Sequence, residues 1–91
     1  MAISVTNQKA YPSLNGQAVL VTLNSTDAAQ LENLSEGQIC TNASSSKTGT
    51  IHRVDYYGTS FWINPIQPDK NFASAGVYGY LAAGETVNIT T

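Results

Sequence analysis

Charged side chains, cysteine and long apolar runs are all scarce in this sequence. Lys, Arg, Asp and Glu make up 11% of its 91 residues, against about 25% in typical soluble domains. The net charge of −2 removes the positive charge that dominates affinity for nucleic acids and for anionic membrane surfaces. We therefore expect neither a nucleic acid nor a membrane as the partner.

Cys40 is the only cysteine, so the chain cannot form an internal disulfide. One cysteine and one histidine also cannot complete a structural zinc site. A domain of this size buries only about 60–65% of its unfolded surface and is often marginally stable alone. Self-association is then the leading way to bury more surface, and we predict a homo-oligomer without a metal or cofactor.

Export and membrane-spanning signals are missing as well. The first residues, MAISVTNQKAYPS, have neither the basic region nor the apolar run of about 7–15 residues that form a signal peptide. No stretch approaches the roughly 18 apolar residues of a membrane span. We expect the protein to be made in the cytoplasm and not to be exported by the usual route.

Uncharged polar residues take the place of charges. Ser, Thr and Asn account for 27 of the 91 residues, while 42% of the chain is apolar and eight residues are aromatic. This composition differs from that of disordered chains, which combine low hydrophobicity with high net charge. The chain should fold, with hydroxyls and amides covering its surface.

The hydrophobic pattern predicts seven short strands separated by turn signals. Gly58 joins two of the strands as one hairpin, and the turn 82–84 joins the last two as another. The polar stretch 42–49 is predicted as a loop. The predicted strands are 3–6, 17–23, 38–41, 50–57, 59–63, 77–81 and 85–90.

One helix of about two turns is predicted between the second and third strands. Asp27 is its expected N-cap with Gln30 three residues on, and Gly37 is its expected stop. Leu31 and Leu34 fall on one face, so the helix should cover an open end of the sheet.

These elements predict an all-β fold class, mainly β with one short helix. A small, partly open barrel of the SH3-like or OB-like kind fits the length, and a compact β-sandwich is the alternative. Residues 15–91 should form a single β domain. Residues 1–14 are interpreted as an N-terminal arm that reaches a neighbouring subunit, or as a frayed terminus.

Cys40, His52 and Asp55 are the only trio that resembles a nucleophile, a base and an orienting acid. His52 and Asp55 lie three apart on one predicted strand, so their side chains should point to opposite faces. We expect a buried Cys40 and an exposed His52. The acidic residues show no calcium-loop or dyad spacing, and the glycines form no phosphate loop. The sequence predicts no enzyme, with no catalytic, cofactor-binding or metal residues.

Aromatic residues cluster on the two central strands, next to Arg53. Alternation places Phe61 and Ile63 on one face and Trp62 and Asn64 on the other, so one aromatic of each adjacent pair should be in the core. An outward Tyr57 or Trp62 would be an anchor in a protein interface or a platform for a small ligand. The aromatics of this cluster are Tyr56, Tyr57, Phe61 and Trp62.

The segments GTIHRVDYYGTSFWINP (49–65) and GYLAAGETVNI (79–89) resemble short β modules of tailed-bacteriophage virion proteins. The similarity lies in a Gly-Thr-Ser turn inside a hairpin, a closing Leu-x-x-Gly-Glu-Thr-Val hairpin and low charge. It covers residues 49–90. It transfers no site residues from the family.

The resemblance implies a capsid decoration (cement) protein located in the virion. Such a protein would act as a homo-oligomer, often a trimer, and would contact the major capsid protein or another virion protein. The candidate interface residues are Tyr11, Tyr57, Trp62 and Tyr78. The alternative function is a small OB-like or lectin-like module that binds nucleic acid or glycan on its Tyr57 and Trp62 face.

Overall fold

A computed structural model describes residues 2–9, 11–12, 18–65, 80–81 and 83–91. Within these ranges the chain forms short strands and a single 3₁₀ helix. In chain order the elements are β1 (Ala2–Thr6), β2 (Tyr11–Pro12), β3 (Val19–Thr22), the 3₁₀ helix (Asp27–Asn33), β4 (Ile39–Asn42), β5 (Thr48–Asp55), β6 (Ser60–Pro65), β7 (Tyr80–Leu81) and β8 (Thr86–Thr90).

Six of the strands form one antiparallel sheet in the order β1-β8-β4-β5-β6-β3, and β2 pairs with β7 in a separate ribbon. The segment after β1 returns against the opposite edge of the sheet. There the Gln8 amide donates to the Thr22 carbonyl at 2.8 Å, and the Thr22 amide donates to Asn7 Oδ1 at 2.9 Å. The sheet therefore curls into a small, partly open barrel, and the predicted all-β class is confirmed.

The core lies inside this curled sheet and is built by strand alternation. Phe61 and Ile63 are fully buried, whereas Trp62 is half-buried and Asn64 is exposed, as predicted for these four positions. Every strand of the large sheet contributes an apolar side chain to the interior. The buried apolar residues are Val5, Val19, Val21, Leu23, Leu31, Leu34, Cys40, Ile51, Phe61, Ile63, Leu81, Val87 and Ile89.

Strand β5 contains the tightest backbone approach among the described glycines. A Cβ on Gly49 would lie 2.5 Å from Ile63 Cγ2 and 2.7 Å from the Asn64 carbonyl oxygen. No residue larger than glycine fits there without moving β6.

Because Thr48 and Gly49 already belong to β5, and Asn42 belongs to β4, the loop is shorter than the predicted 42–49.

The predicted helix is present, but it is a 3₁₀ helix and Asp27 does not cap it. Asp27 Oδ2 accepts a hydrogen bond from the Thr6 amide at 2.9 Å, and Asn24 Oδ1 accepts one from the Asp27 amide at 2.6 Å. Leu31 and Leu34 are both buried, as expected. Leu31 lies in the helix and Leu34 is the extended residue that follows it, with its amide donating to the Leu31 carbonyl at 3.1 Å.

The prediction that the last two strands pair with each other is wrong. Strand β8 lies between β1 and β4 and pairs with both, so neither of its edges is available to β7. Strand β7 pairs with β2 instead. Local turn signals could not reveal this, because the partners of β8 lie about 45 and 85 residues away along the chain. Residues 77–79 of the predicted strand lie outside the described residues.

Part of the predicted N-terminal arm belongs to the domain. All five residues of β1 pair with β8, from Ala2 opposite Thr90 to Thr6 opposite Thr86. Val5 is buried in the core. A domain boundary at residue 14 would therefore remove one edge strand of the barrel.

Candidate functional site

The turn between β5 and β6 forms an ordered aromatic tip. Asp55 Oδ1 accepts a hydrogen bond from the Gly58 amide at 3.0 Å, and Thr59 adopts a positive φ of 48°. These features fix the backbone of the turn. Tyr57 is 102% exposed and Tyr56 is 57% exposed, so the tip offers two phenol rings to solvent. We call residues 56–59 the tyrosine tip.

The expected alternation of adjacent aromatics does not hold at this tip. We predicted that either Tyr56 or Tyr57 would lie in the core, but both are exposed. The reason is that β5 ends at Asp55 and both tyrosines belong to the turn. Period-two alternation applies only to extended strands.

Trp62 lies on the outer face of the barrel, on the same hairpin. It is half-buried, and its partners on the neighbouring strands are Leu20 on β3 and Arg53 on β5. Arg53 is exposed. About 7 Å of strand separates Trp62 from Ser60, the first residue after the tyrosine tip. The structure thus places Tyr57 and Trp62 on one hairpin.

The other two candidate interface residues are less informative. The backbone of Tyr11 lies in β2 and pairs with Leu81 of β7, in a ribbon that contacts β3, the neighbour of β6. Tyr78 lies outside the described residues. Two of the four predicted interface positions, Tyr57 and Trp62, lie on one hairpin, and their role in an interface stays a prediction.

Cys40, His52 and Asp55 are not assembled into a catalytic arrangement. Cys40 is fully buried, and burial raises the pKa of its thiol to about 12, so the thiol stays protonated near neutral pH. His52 is exposed, as expected. The predicted opposite-face placement of His52 and Asp55 is wrong, because the register shift between Ile51 and Arg53 breaks the alternation of β5.

Asn7 is a buried polar hub that sequence reasoning missed. Its side-chain Nδ2 donates to the carbonyls of Lys9 at 2.7 Å and Leu81 at 2.9 Å, while its Oδ1 accepts from the Thr22 amide. Its backbone amide donates to the Glu85 carbonyl at 2.9 Å. Asn7 therefore joins the end of β1 to β3, β7 and the start of the β8 segment.

Asn42 is the second fully buried amide and makes a different set of contacts. Its Oδ1 accepts from the Ser44 amide at 2.9 Å, which shapes the turn after β4. Its Nδ2 donates to Glu85 Oε2 at 3.1 Å. The Glu85 carboxylate is thus held by a buried amide.

A signal for both residues was present in the sequence. Asn7 continues the inward alternation of Val5, and Asn42 continues that of Cys40. An asparagine at the next inward position after a buried strand residue predicts a buried amide at the strand end. Buried polar groups need partners, and no buried side-chain polar atom of the described residues lacks one.

A groove lies between β1 and the 3₁₀ helix. It is lined by Ile3, Gln30, Asn33 and Thr91, with a volume of about 280 Å³. Asn33 Nδ2 donates to Gln30 Oε1 at 3.2 Å across its helical side. The described residues contain no cluster of three or more metal-binding side chains, in this groove or elsewhere.

No protein-family model matches this chain, and comparison with curated proteins and with solved structures gave no match. The case for a function therefore rests on the chain's own surface. Among the described residues, no helix has the length and apolar character needed to cross a bilayer.

Proposed function

We propose that the protein is a non-enzymatic virion subunit, specifically a capsid decoration (cement) protein that stabilises a phage head. It would act as a homo-oligomer and contact the major capsid protein or another virion protein. The resemblance of residues 49–90 to phage β modules suggests this class and implies a trimer. The observation that carries the proposal is the tyrosine tip.

The tyrosine tip has the properties of a docking element. Tyr57 exposes its whole side chain to water, and aromatic side chains in this setting gain most from insertion into a partner. The turn beneath it is held by the bond from the Gly58 amide to Asp55, and Phe61 on β6 is buried in the core. Little ordering entropy would be lost on binding to such a preorganised tip.

A decoration protein needs no reactive group, and the described interior offers none that is ionised. Cys40 is protonated and enclosed. What such a protein requires is a rigid fold that binds the assembled shell in preference to its separate subunits, so that binding stabilises the shell by mass action. The dense pairing of the six-stranded sheet suits that task.

Cryo-electron microscopy of particles from the source of this sequence tests the proposal. We expect ordered, repeated density for this chain on the outer surface of the shell. Replacing Tyr56 and Tyr57 together by alanine should leave the fold intact and reduce particle occupancy at least about tenfold. The matched control is Ile39→Ala, which also removes an exposed apolar side chain (41% exposed) but lies on β4. Absence of the chain from purified particles would refute a virion role.

A second candidate function is a small OB-like or lectin-like module that binds nucleic acid or glycan. The half-buried Trp62 beside the exposed Arg53 favours it, because aromatic and guanidinium groups together stack on bases and sugars. The chain has four basic residues in total, which supports only weak attraction to phosphates.

Fluorescence titration separates the two candidates. Trp62 is the only tryptophan, so emission reports on that site alone. A saturable change with an oligonucleotide or an oligosaccharide, lost in Arg53→Ala or on adding salt, would support the binding module. An unchanged emission spectrum with both ligands favours the structural role.

A further inference from the structure

The large sheet has two edge strands, β1 and β3. The described residues cover the outer backbone groups of these two strands to different extents. On β3, both backbone groups of Thr22 are bonded to the segment after β1, and the β2–β7 ribbon contacts the strand. On β1, the outer-edge bonds of the described residues are both at Thr6: its amide donates to Asp27 Oδ2 at 2.9 Å, and its carbonyl accepts from Gln8 Nε2 at 3.3 Å. The outward backbone groups of β1 before Thr6 therefore have no hydrogen-bond partner among the described residues.

The direction of the free groups on β1 follows from its neighbours. The Asn7 amide donates toward the β8 side, to the Glu85 carbonyl, whereas the Thr6 amide points the opposite way, to Asp27. Backbone groups two residues apart share a direction in a strand. The amides and carbonyls of Ala2 and Ser4 thus point outward, and both residues are exposed.

Strand β1 also lacks the features by which proteins usually block an edge. Its sequence, AISVT, contains no charge and no proline. Its register with β8 is continuous over all five pairs, without a bulge. Natural edge strands are commonly blunted by lysine, proline or bulges. The outer edge of β1 is therefore a template for one more strand.

The groove between β1 and the 3₁₀ helix lies beside this open edge. Ile3 is its apolar wall and is only partly buried in the monomer. A strand added to β1 would place a side chain directly opposite Ile3, over the groove of about 280 Å³. The edge and the groove together form one site for an extended segment.

We propose that a second copy of this chain occupies the site, with the two β1 strands antiparallel about a two-fold axis at Ile3. The inference rests on the self-association of the proposed function and assigns a contact to it, but a two-fold contact closes as a dimer and not as the trimer that the resemblance implies. Ala2 of each copy would pair with the partner's Ser4, giving four backbone hydrogen bonds across two reciprocal pairs. The two Ile3 side chains would meet at the axis and cover both grooves.

This register follows from the bond at the far end of β1. An axis at Ser4 would require the Thr6 amide to pair with the partner's Ala2, but Asp27 already accepts from that amide. An axis at Ile3 leaves the bond to Asp27 intact. Two copies of one strand that pair about a two-fold axis present identical edges to each other, so the contact is self-complementary. Each copy has a net charge of −2, but β1 itself contains no charged residue that would repel the partner's β1.

Sedimentation velocity from about 10 µM to 1 mM, the range of a small interface, tests the contact. We expect wild type to shift toward dimer with concentration and Ser4→Pro to remain monomeric. Proline removes an outward amide, which β8 does not use. The matched control is Ser4→Ala, which loses the same Ser4 Oγ bond to Asn88 Oδ1 (2.6 Å) but keeps the amide, and it should dimerise like wild type.

Amide hydrogen exchange of the wild-type protein gives a second reading that needs no variant. The Ser4 amide should become protected as concentration rises, whereas the Val5 amide, which points toward β8, should be protected throughout. If Ser4→Pro fails to fold, this exchange measurement still tests the β1 contact. Exchange at Ser4 that does not change with concentration would overturn the β1 contact.

The sedimentation outcomes separate the β1 contact from the proposed function. A wild-type monomer across the range, or a dimer that survives Ser4→Pro, overturns the contact. A trimer unaffected by Ser4→Pro also overturns it, but leaves the decoration role standing. A dimer with the expected behaviour, made by a chain absent from particles, would uphold the contact and refute the decoration role.

Discussion

Asn7 and Asn42 are the same residue type at the same burial, yet they stabilise the barrel in different ways. Asn7 bonds segments that are far apart in sequence, including Leu81, 74 residues away. Asn42 bonds Ser44, Ser46 and Lys47 within its own turn, and its Nδ2 also donates to Glu85, 43 residues away. Burial of an amide thus says little about whether it supports the whole fold or a local turn.

The largest effect should come from Asn7→Ala. The substitution leaves the Thr22 amide and the carbonyls of Lys9 and Leu81 without their partner. The Leu81 bond is buried and the other two are partly buried, and an unsatisfied buried group costs about 1–3 kcal/mol. We expect a loss of about 3–5 kcal/mol, measured by urea unfolding.

Asn64→Ala is the control for Asn7→Ala, because Asn64 is an exposed asparagine on β6. It should change stability by less than about 0.5 kcal/mol. A cost at Asn7 no greater than at Asn64 would show that Asn7 is not a hub.

Asn42→Asp should have the next largest effect, and that effect should depend on pH. The new carboxylate would face Glu85 Oε2, now 3.1 Å from Nδ2, at a cost of about 2–3 kcal/mol at pH 7. Repulsion raises the folded-state pKa of the pair above its unfolded value, so the folded state binds protons more readily. Stability should therefore recover as pH falls toward about 4.

The readout is the free energy of unfolding as a function of pH, with wild type as the reference. Loss of stability on acidification relative to wild type would contradict the facing arrangement.

Asn42→Ala should have the smallest global effect, about 1–2 kcal/mol, because water reaches the turn amides that it leaves unpaired. Its local effect should be larger. Cys40 lies two residues away on β4 and reacts with iodoacetamide only when the strand opens. We expect the alkylation rate to rise by more than the change in global stability accounts for. In Asn7→Ala the rate should follow global stability. If the alkylation rate depended on global stability in the same way in both variants, Asn7 and Asn42 would not differ in supporting the whole fold and a local turn.

Local patterns predicted much of this fold, and long-range pairing set the limit. Alternation placed Phe61 and Ile63 in the core because it depends only on extended backbone. It failed at Tyr56, where the strand had already ended. The insertion of β8 between β1 and β4 joins residues from opposite ends of the chain, and no local signal encodes such a pairing.

The candidate site was predicted in part for the same reason. Alternation placed Trp62 on the outer face of β6, whereas Tyr57 is exposed because it lies in the turn after β5, where alternation does not apply. The role of Asp27 was missed, since the residue that fits a helix cap instead bonds the Thr6 amide of β1. Whether an aspartate at this position caps the helix or accepts from a strand amide depends on where strands distant in sequence lie.

Gly49 also bears on the ancestry of this fold. A side chain at that position would strike the backbone of β6, so the constraint is set by the barrel rather than by any partner or ligand. Substitutions elsewhere on β5 can accumulate as lineages separate, whereas this one would have to be accompanied by a change in the path of β6. A relative too diverged to align by its overall sequence would still be expected to carry glycine two positions before the inward residue equivalent to Ile51.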